Sequence, residues 1–159
     1  MPGGYGSCVR WLRLILVVVL LAGINPSIQA APARIIKVLP HLLDLDGRHS
    51  LSPSLYERDA YQAYLRKNPE KCSGLRFDVQ WKVREADSLD LKLRVEFRGS
   101  KEAKPFVVEQ AVRRRHSLGH WSALTLVGDD FKKVGDLVAW RATLWTGDRM
   151  LAEQKSFLW

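Results

Sequence analysis

Hydrophobic and polar residues alternate strictly over two stretches of the chain. From 75 to 84 every odd position is apolar (Leu75, Phe77, Val79, Trp81, Val83) and every even one polar, and from 89 to 98 the parity repeats in Leu89, Leu91, Leu93, Val95 and Phe97. A period of two is the signature of a strand with one dry face and one wet face. The spacer Glu85-Ala-Asp-Ser88 predicts that the two strands join as an antiparallel hairpin. Their wet rows, Arg76, Asp78, Gln80, Lys82, Arg84 and Asp90, Lys92, Arg94, Glu96, Arg98, mix both signs of charge. That mixture suits cross-strand ion pairing and discourages edge-to-edge aggregation.

The remaining pattern is less regular. The apolar segment 34–47 contains Pro40, which fits an edge strand or an extended lead-in better than a central strand. One helix is predicted over 53–67: Ser52 can cap it, Pro53 fits its first position, and Leu55, Tyr56, Ala60, Ala63, Tyr64 and Leu65 recur near helical spacing before Asn68-Pro69 ends the run. Weaker strand runs cover 106–112 and 121–127, the latter followed by the turn-like Gly128-Asp-Asp130. The runs 137–145 and 150–159 flank Thr146-Gly-Asp-Arg149 and predict a closing hairpin. Six or seven strands with one helix, and no alternation of the two, predict a mostly β fold: an antiparallel β-sandwich of about seven strands with one inserted α-helix near residues 53–67, rather than a parallel α/β sheet.

The order of strands, Trp81 on an inward position of an early amphipathic strand, and a final hairpin around Trp140 resemble immunoglobulin and fibronectin type III sandwiches. The resemblance implies a core aromatic between two sheets. The paired cysteines of antibody domains are absent, and the helix at 53–67 is an insertion. The stretch from Asp44 to Tyr64, with the terminal Gln154-Lys-Ser-Phe-Leu-Trp159, resembles a family of small exported bacterial proteins to which no activity is assigned.

Residues 1–30 change the picture. Arg10 and Arg13, with no acidic residue, precede the apolar run 14–24, the breaker Asn25-Pro26 and the small residues around Ala30. This is the order of a cleavable signal peptide. A membrane anchor is the rival, but a bilayer core takes about 20 apolar residues and this run has 11. Cleavage is expected after Ala30, with Ala31 or Ala33 as alternatives, leaving no stable membrane span and one domain at 31–159. A lipid anchor needs a cysteine after the apolar run, whereas Cys8 precedes it. Localisation is therefore expected to be secreted or periplasmic. Two of the 25 basic residues fall in the signal, so 23 remain against 17 acidic ones and the net charge is +6. That excess suits an anionic envelope polymer and serves equally as a solubility device. Cys72 is the one cysteine left, so no intrachain disulfide can form, and a lone thiol in a loop is the simpler reading.

Candidate chemistry is sparse. Asp44-x-Asp46-Gly47 invites a calcium reading, but with Gly47 at loop position six an EF-hand would put Leu42 at position one and Pro53 at position twelve, where acids are required. A non-EF site from Asp44, Asp46 and Glu57 is outweighed by a turn leading to a helix cap. Arg113, Arg114, Arg115 and His116, with Trp121 adjacent, form the densest basic patch and are the candidate contact for an anion or a partner. His116 and His120 are four apart, a ligand spacing only on a helix, which Gly119 opposes. Among the large rings, Tyr56, Tyr61, Tyr64, Trp121, Trp145 and Trp159 exceed what one core side needs, so some are expected at the surface, where they would stack on sugars or anchor partners. Neither a G-x-S-x-G turn nor an H-E-x-x-H helix occurs. The expectation is a non-enzymatic binding protein without metal or cofactor, meeting a protein or envelope polymer and no nucleic acid, which an exported domain seldom encounters. The alternative is a structural subunit that adds an edge strand to an assembly.

Overall fold

The alternating runs become the two central strands of facing sheets. The computed structural model describes residues 33–84, 90–113 and 119–159. In chain order they form β1 (Ala33–Asp44), α1 (Leu55–Lys67), a 3-10 turn (Pro69–Lys71), β2 (Cys72–Val83), β3 (Leu91–Gly99), β4 (Phe106–Val112), β5 (His120–Val127), α2 (Gly128–Val134), β6 (Leu137–Thr146) and β7 (Arg149–Lys155). One sheet has the order β1-β2-β5 and the other β4-β3-β6-β7, and every pairing is antiparallel. The mostly β class, the seven strands and the closing hairpin of β6 and β7 agree with the sequence pattern.

The expected hairpin of β2 with β3 does not form. The two strands lie in different sheets, β2 between β1 and β5, β3 between β4 and β6. Their dry faces oppose each other instead, with the Phe77 and Phe97 rings 5.1 Å apart between centroids. A shared parity of apolar positions describes two strands side by side or face to face equally well, and burial of both faces favours the second. Phe77, Val79, Trp81, Leu93, Val95 and Phe97 are fully buried in the resulting core, with Leu124 from β5 and Ala142 and Leu144 from β6. Each such side chain contributes about 1.5–3 kcal/mol relative to exposure.

The helix signals were displaced by two residues. Ser52 and Pro53 precede α1 in a turn where the Ser52 Oγ accepts the Ser54 N–H at 3.1 Å. The helix N-cap is Ser54, which makes no side-chain capping bond. Residues 128–130, expected as a turn, open α2. Asp129 and Asp130 in its first turn pair with Lys132 and Lys133 in its last at 2.9 and 2.8 Å, so charges suit both ends of the helix dipole. Gly135, at φ 71°, closes it. Gly99 makes this packing feasible, because a Cβ there would lie 1.9 Å from the Val134 carbonyl oxygen.

Cys72 opens β2 rather than sitting in a loop. Its Sγ lies 3.5 Å from the Leu65 carbonyl, and burial pushes the thiol pKa up, which keeps it a neutral, poor nucleophile. The segment 1–30 expected as a signal peptide, Arg114, Arg115, His116 and the spacer 85–88 lie outside the described residues. Among the described residues no helix is long and apolar enough to cross a membrane.

Candidate partner-binding surface

Each sheet turns one face to solvent, and the two faces differ in kind. On the four-stranded sheet the outward row of β3 is Lys92, Arg94, Glu96 and Arg98. Lys92 and Arg94 reach Glu109 of β4 at 3.3 and 3.5 Å, Arg94 reaches Glu96 at 3.0 Å, the Nε of Arg141 donates to Glu96 at 2.7 Å, and Arg141 reaches Glu153 of β7 at 3.7 Å. Charge is therefore matched across all four strands. The Trp159 ring lies over this ladder, 5.0 and 5.1 Å from the guanidinium carbons of Arg98 and Arg141. Trp145, on the same face, donates its indole N–H to Thr143 Oγ1 at 2.8 Å. The ion pairing expected for the wet rows thus holds for β3, but its partners are on β4 and β6 rather than β2.

The outward side of the three-stranded sheet is divided. At the end near α1 it carries a buried polar knot. The Asp44 carboxylate accepts the backbone N–H groups of Asp46 and Arg48 at 2.9 and 2.8 Å, Arg48 Nε at 3.0 Å and the Tyr61 hydroxyl at 2.7 Å. Burial alone would raise the Asp44 pKa, yet the bonds from Tyr61 and Arg48 and the Arg48 charge overcome it and hold the carboxyl below its ordinary value. The same bond, aided by burial, pushes the Tyr61 phenol up to about 12. Both Asp44 oxygens are thus occupied by donors, Asp46 pairs with Arg48, and Glu57 is exposed on α1. This is the turn reading, and the three acids do not converge. Among the described residues no group of three His, Cys, Asp or Glu side chains is arranged to hold a metal ion.

Beside the knot, Gln62 is 95% buried and its amide closes the edge of β1: Oε1 accepts the Leu42 N–H at 2.8 Å, and Nε2 donates to the Leu42 carbonyl and to that of His49, both at 2.9 Å. Since both backbone groups of Leu42 point away from β2, so do those of Pro40, two residues on in the same unbroken register. Proline's missing N–H costs no ladder bond there, which is why a strand can contain it. His41 packs on this side with its Nε2 3.8 Å from Asp78; burial lowers its pKa against the raising effect of Asp78, and His49, Arg58 and Arg76 lower it further.

At the other end stand the sequence candidates that the structure describes. Arg113 follows β4 directly and Trp121 is the second residue of β5, and both line a cleft of about 340 Å³ with Gln110, Val112, His120 and Trp81 at its floor. The basic patch and Trp121 were read as one site, and Arg113 and Trp121 do share it. His120 is not in a loop: it starts β5, its ring 4.9 Å from that of Trp81. The Trp81 indole N–H donates to Ser122 Oγ at 3.0 Å, so this core ring is fixed by a polar tether. Of the other rings singled out, Tyr61 is tied to Asp44, Tyr64 stacks on Tyr61 and lies 4.8 Å from Lys71 Nζ, and Tyr56 is exposed.

Sequence reasoning missed the outward row of β5 itself. Trp121, Ala123, Thr125 and Val127 are all exposed, Trp121 by 53% and Val127 by 57%, and the strand from His120 to Val127 contains no Asp, Glu, Lys or Arg. The charge-free run was visible in the sequence, but its significance required knowing that β5 ends a sheet. A second cleft, of about 310 Å³ between α1 and α2 and floored by Leu42, Leu65 and Phe131, was also missed, because it depends on a helix that the pattern did not announce. Two facing antiparallel sheets, one charge-matched and one with a neutral outer strand, define the class as a mostly β protein. No family model, curated protein or solved structure matches the chain.

Proposed function

We propose that the chain is an exported, non-enzymatic binding protein of the cell envelope or extracellular space that contacts another protein first and a glycan second. Export is supported by the order of charge, apolar run and small residues within 1–30. The observation that carries the binding reading is the contrast between the faces. On one sheet Lys92, Arg94, Glu96, Glu109, Arg141 and Glu153 are engaged with one another, while on the other Trp121 lies beside the cationic Arg113 and Ala123, Thr125 and Val127 continue its exposed, neutral row. Exposed Trp is the commonest anchor of a contact surface, and Arg is the next.

A second reading has its own observation. The alternative of strand addition is less well supported at β1, which pairs with β2 and buries Ala33, Ile35, Val38 and Leu43 within the fold. The exposed edge that could join another strand is β5.

A photo-crosslinking residue at Ala123 or at Arg94, in cells producing the full chain, separates the faces. Adducts of defined mass at 123 and their absence at 94 are the expected result, lost on Trp121→Ala. Equal labelling at both positions, or none at either, contradicts the reading. Adducts to polysaccharide rather than protein would decide for the glycan.

A further inference from the structure

Two flat sheets have four edges, and each exposes backbone donors and acceptors unless something covers them. The edge of β1 is closed by Gln62 and Pro40, is kinked by a register shift between Ile35 and Lys37, and lies beside β7. The edge of β7 shares that flank, has a register shift between Leu144 and Trp145, and carries Arg149, Glu153 and Lys155. The edge strand β4 carries Glu109, held by Lys92 and Arg94. The strand β5 lies beside β4, but among the described residues it has none of the other devices: its ladder with β2 runs from Gly74↔Val127 to Trp81↔His120 without a register shift, and it holds no Pro and no Asp, Glu, Lys or Arg.

The direction of the β5 backbone follows from the Gln62 bonds. Because Leu42 turns its N–H and carbonyl away from β2, the pair Leu42↔Leu75 exchanges no ladder bonds, and Leu75 turns toward β5. Leu75 then exchanges its bonds with Leu126, and by the same alternation Phe77 does so with Leu124 and Val79 with Ser122. The groups of Trp121, Ala123 and Thr125 therefore point out of the sheet.

We propose that this position is filled by β5 of a second copy of the chain, antiparallel about a two-fold axis, giving one continuous sheet of β1-β2-β5 and its symmetry mate. The proposal rests on the reading of the Trp121 face as a contact surface and names the occupant of its edge. What singles out a second copy is self-complementarity. With the axis at Leu124, outward residues meet only outward residues: Ala123 faces Thr125 of the other copy, and Trp121 faces Val127. Each of these pairs exchanges both N–H···O bonds, and on the solvent face the largest side chain of the row lies against a smaller β-branched one. Self-pairing of a strand meets like charge opposite like charge wherever it carries charges in register, and β5 carries none. The two Trp121 rings then flank one apolar strip, which doubles the surface offered to any further partner.

Sedimentation equilibrium of the purified full chain over about 1 to 200 μM tests this, the range in which weak pairs associate. A monomer–dimer equilibrium is expected, at least tenfold weaker in Thr125→Lys and in Ala123→Pro. The first sets like charges close together across the seam. The second removes an N–H that the monomer does not use, and Thr125→Lys on an exposed position leaves the fold intact as judged by its melting temperature. Val107→Lys, on the edge strand β4, should leave the equilibrium unchanged. A monomer at every concentration, or a dimer untouched by Thr125→Lys, overturns the proposal. A monomer that still crosslinks to another protein through position 123 overturns the dimer alone and leaves the binding reading standing.

Discussion

The two edges of the three-stranded sheet are built by opposite means. At β1 the sheet is sealed by side chains: Gln62 satisfies both backbone groups of Leu42, Pro40 removes a donor, and Asp44 ties the following turn to Tyr61. At β5 no such device is found among the described residues, and the outward side chains of Trp121, Ala123, Thr125 and Val127 are neutral and exposed. The difference teaches that a small sheet manages its edges locally, one strand at a time, and the strand without such devices is the one proposed to make contact. Both edges hang on the same central strand, β2, so changes to the core act on both and changes to one edge do not.

The largest effect therefore comes from the shared centre. Trp81→Ala removes the largest fully buried side chain and the partner of Ser122, and should cost about 3–5 kcal/mol. Equilibrium denaturation is expected to show both edges melting together, and a change confined to one edge would break the view that β2 couples them. Asp44→Ala comes next, at about 3 kcal/mol, because it strands the Tyr61 hydroxyl and two backbone N–H groups. Its acid dependence has a definite sign. The lowered Asp44 pKa stabilises the fold above about 3.8, and that stability is lost as pH falls through the folded value. His41, also lowered, begins to destabilise the fold at higher pH, as the unfolded chain takes up protons below about 6.5. Melting temperature against pH should thus fall in two stages, and His41→Gln should remove the upper one. Thr125 and its neighbours contribute to neither stage.

Gln62→Ala sharpens the comparison more finely. It leaves Leu42 without partners for both backbone groups and should cost about 1–3 kcal/mol, with faster exchange of the Leu42 amide. In effect it converts the closed edge toward the open one. The smallest effect belongs to the other sheet: Glu96→Gln weakens a partly exposed ladder, with a cost of about 1 kcal/mol or less that shrinks as salt is added. A cost independent of salt would show that the ladder does more than match surface charge.

How much of this the sequence announced depends on the range of the interaction. The strict alternation of 75–83 and 89–97 made the two central strands legible, and Pro40 announced an edge. What the pattern could not carry was the assignment of β2 and β3 to facing sheets, since Phe77 and Phe97 look alike in a hairpin and in a sandwich. The knot at Asp44 was read as a turn, but its tie to Tyr61 spans 17 residues and the neighbouring tie of Gln62 to Leu42 spans 20, so neither leaves a local trace. Arg113 and Trp121 were found by composition and do meet at one cleft. The open row that follows Trp121 was not found, because neutrality becomes informative only once β5 is known to lack a neighbour.

The central claim, that one edge is closed and the other open, is tested most directly by residue-resolved amide hydrogen exchange on the Thr125→Lys chain, in which the seam between copies is blocked. The Leu42 amide is expected to exchange slowly and those of Trp121 and Ala123 quickly, while Leu124 and Ser122, bonded to β2, stay protected. Protection at Trp121 and Ala123 equal to that at Leu42 would contradict it.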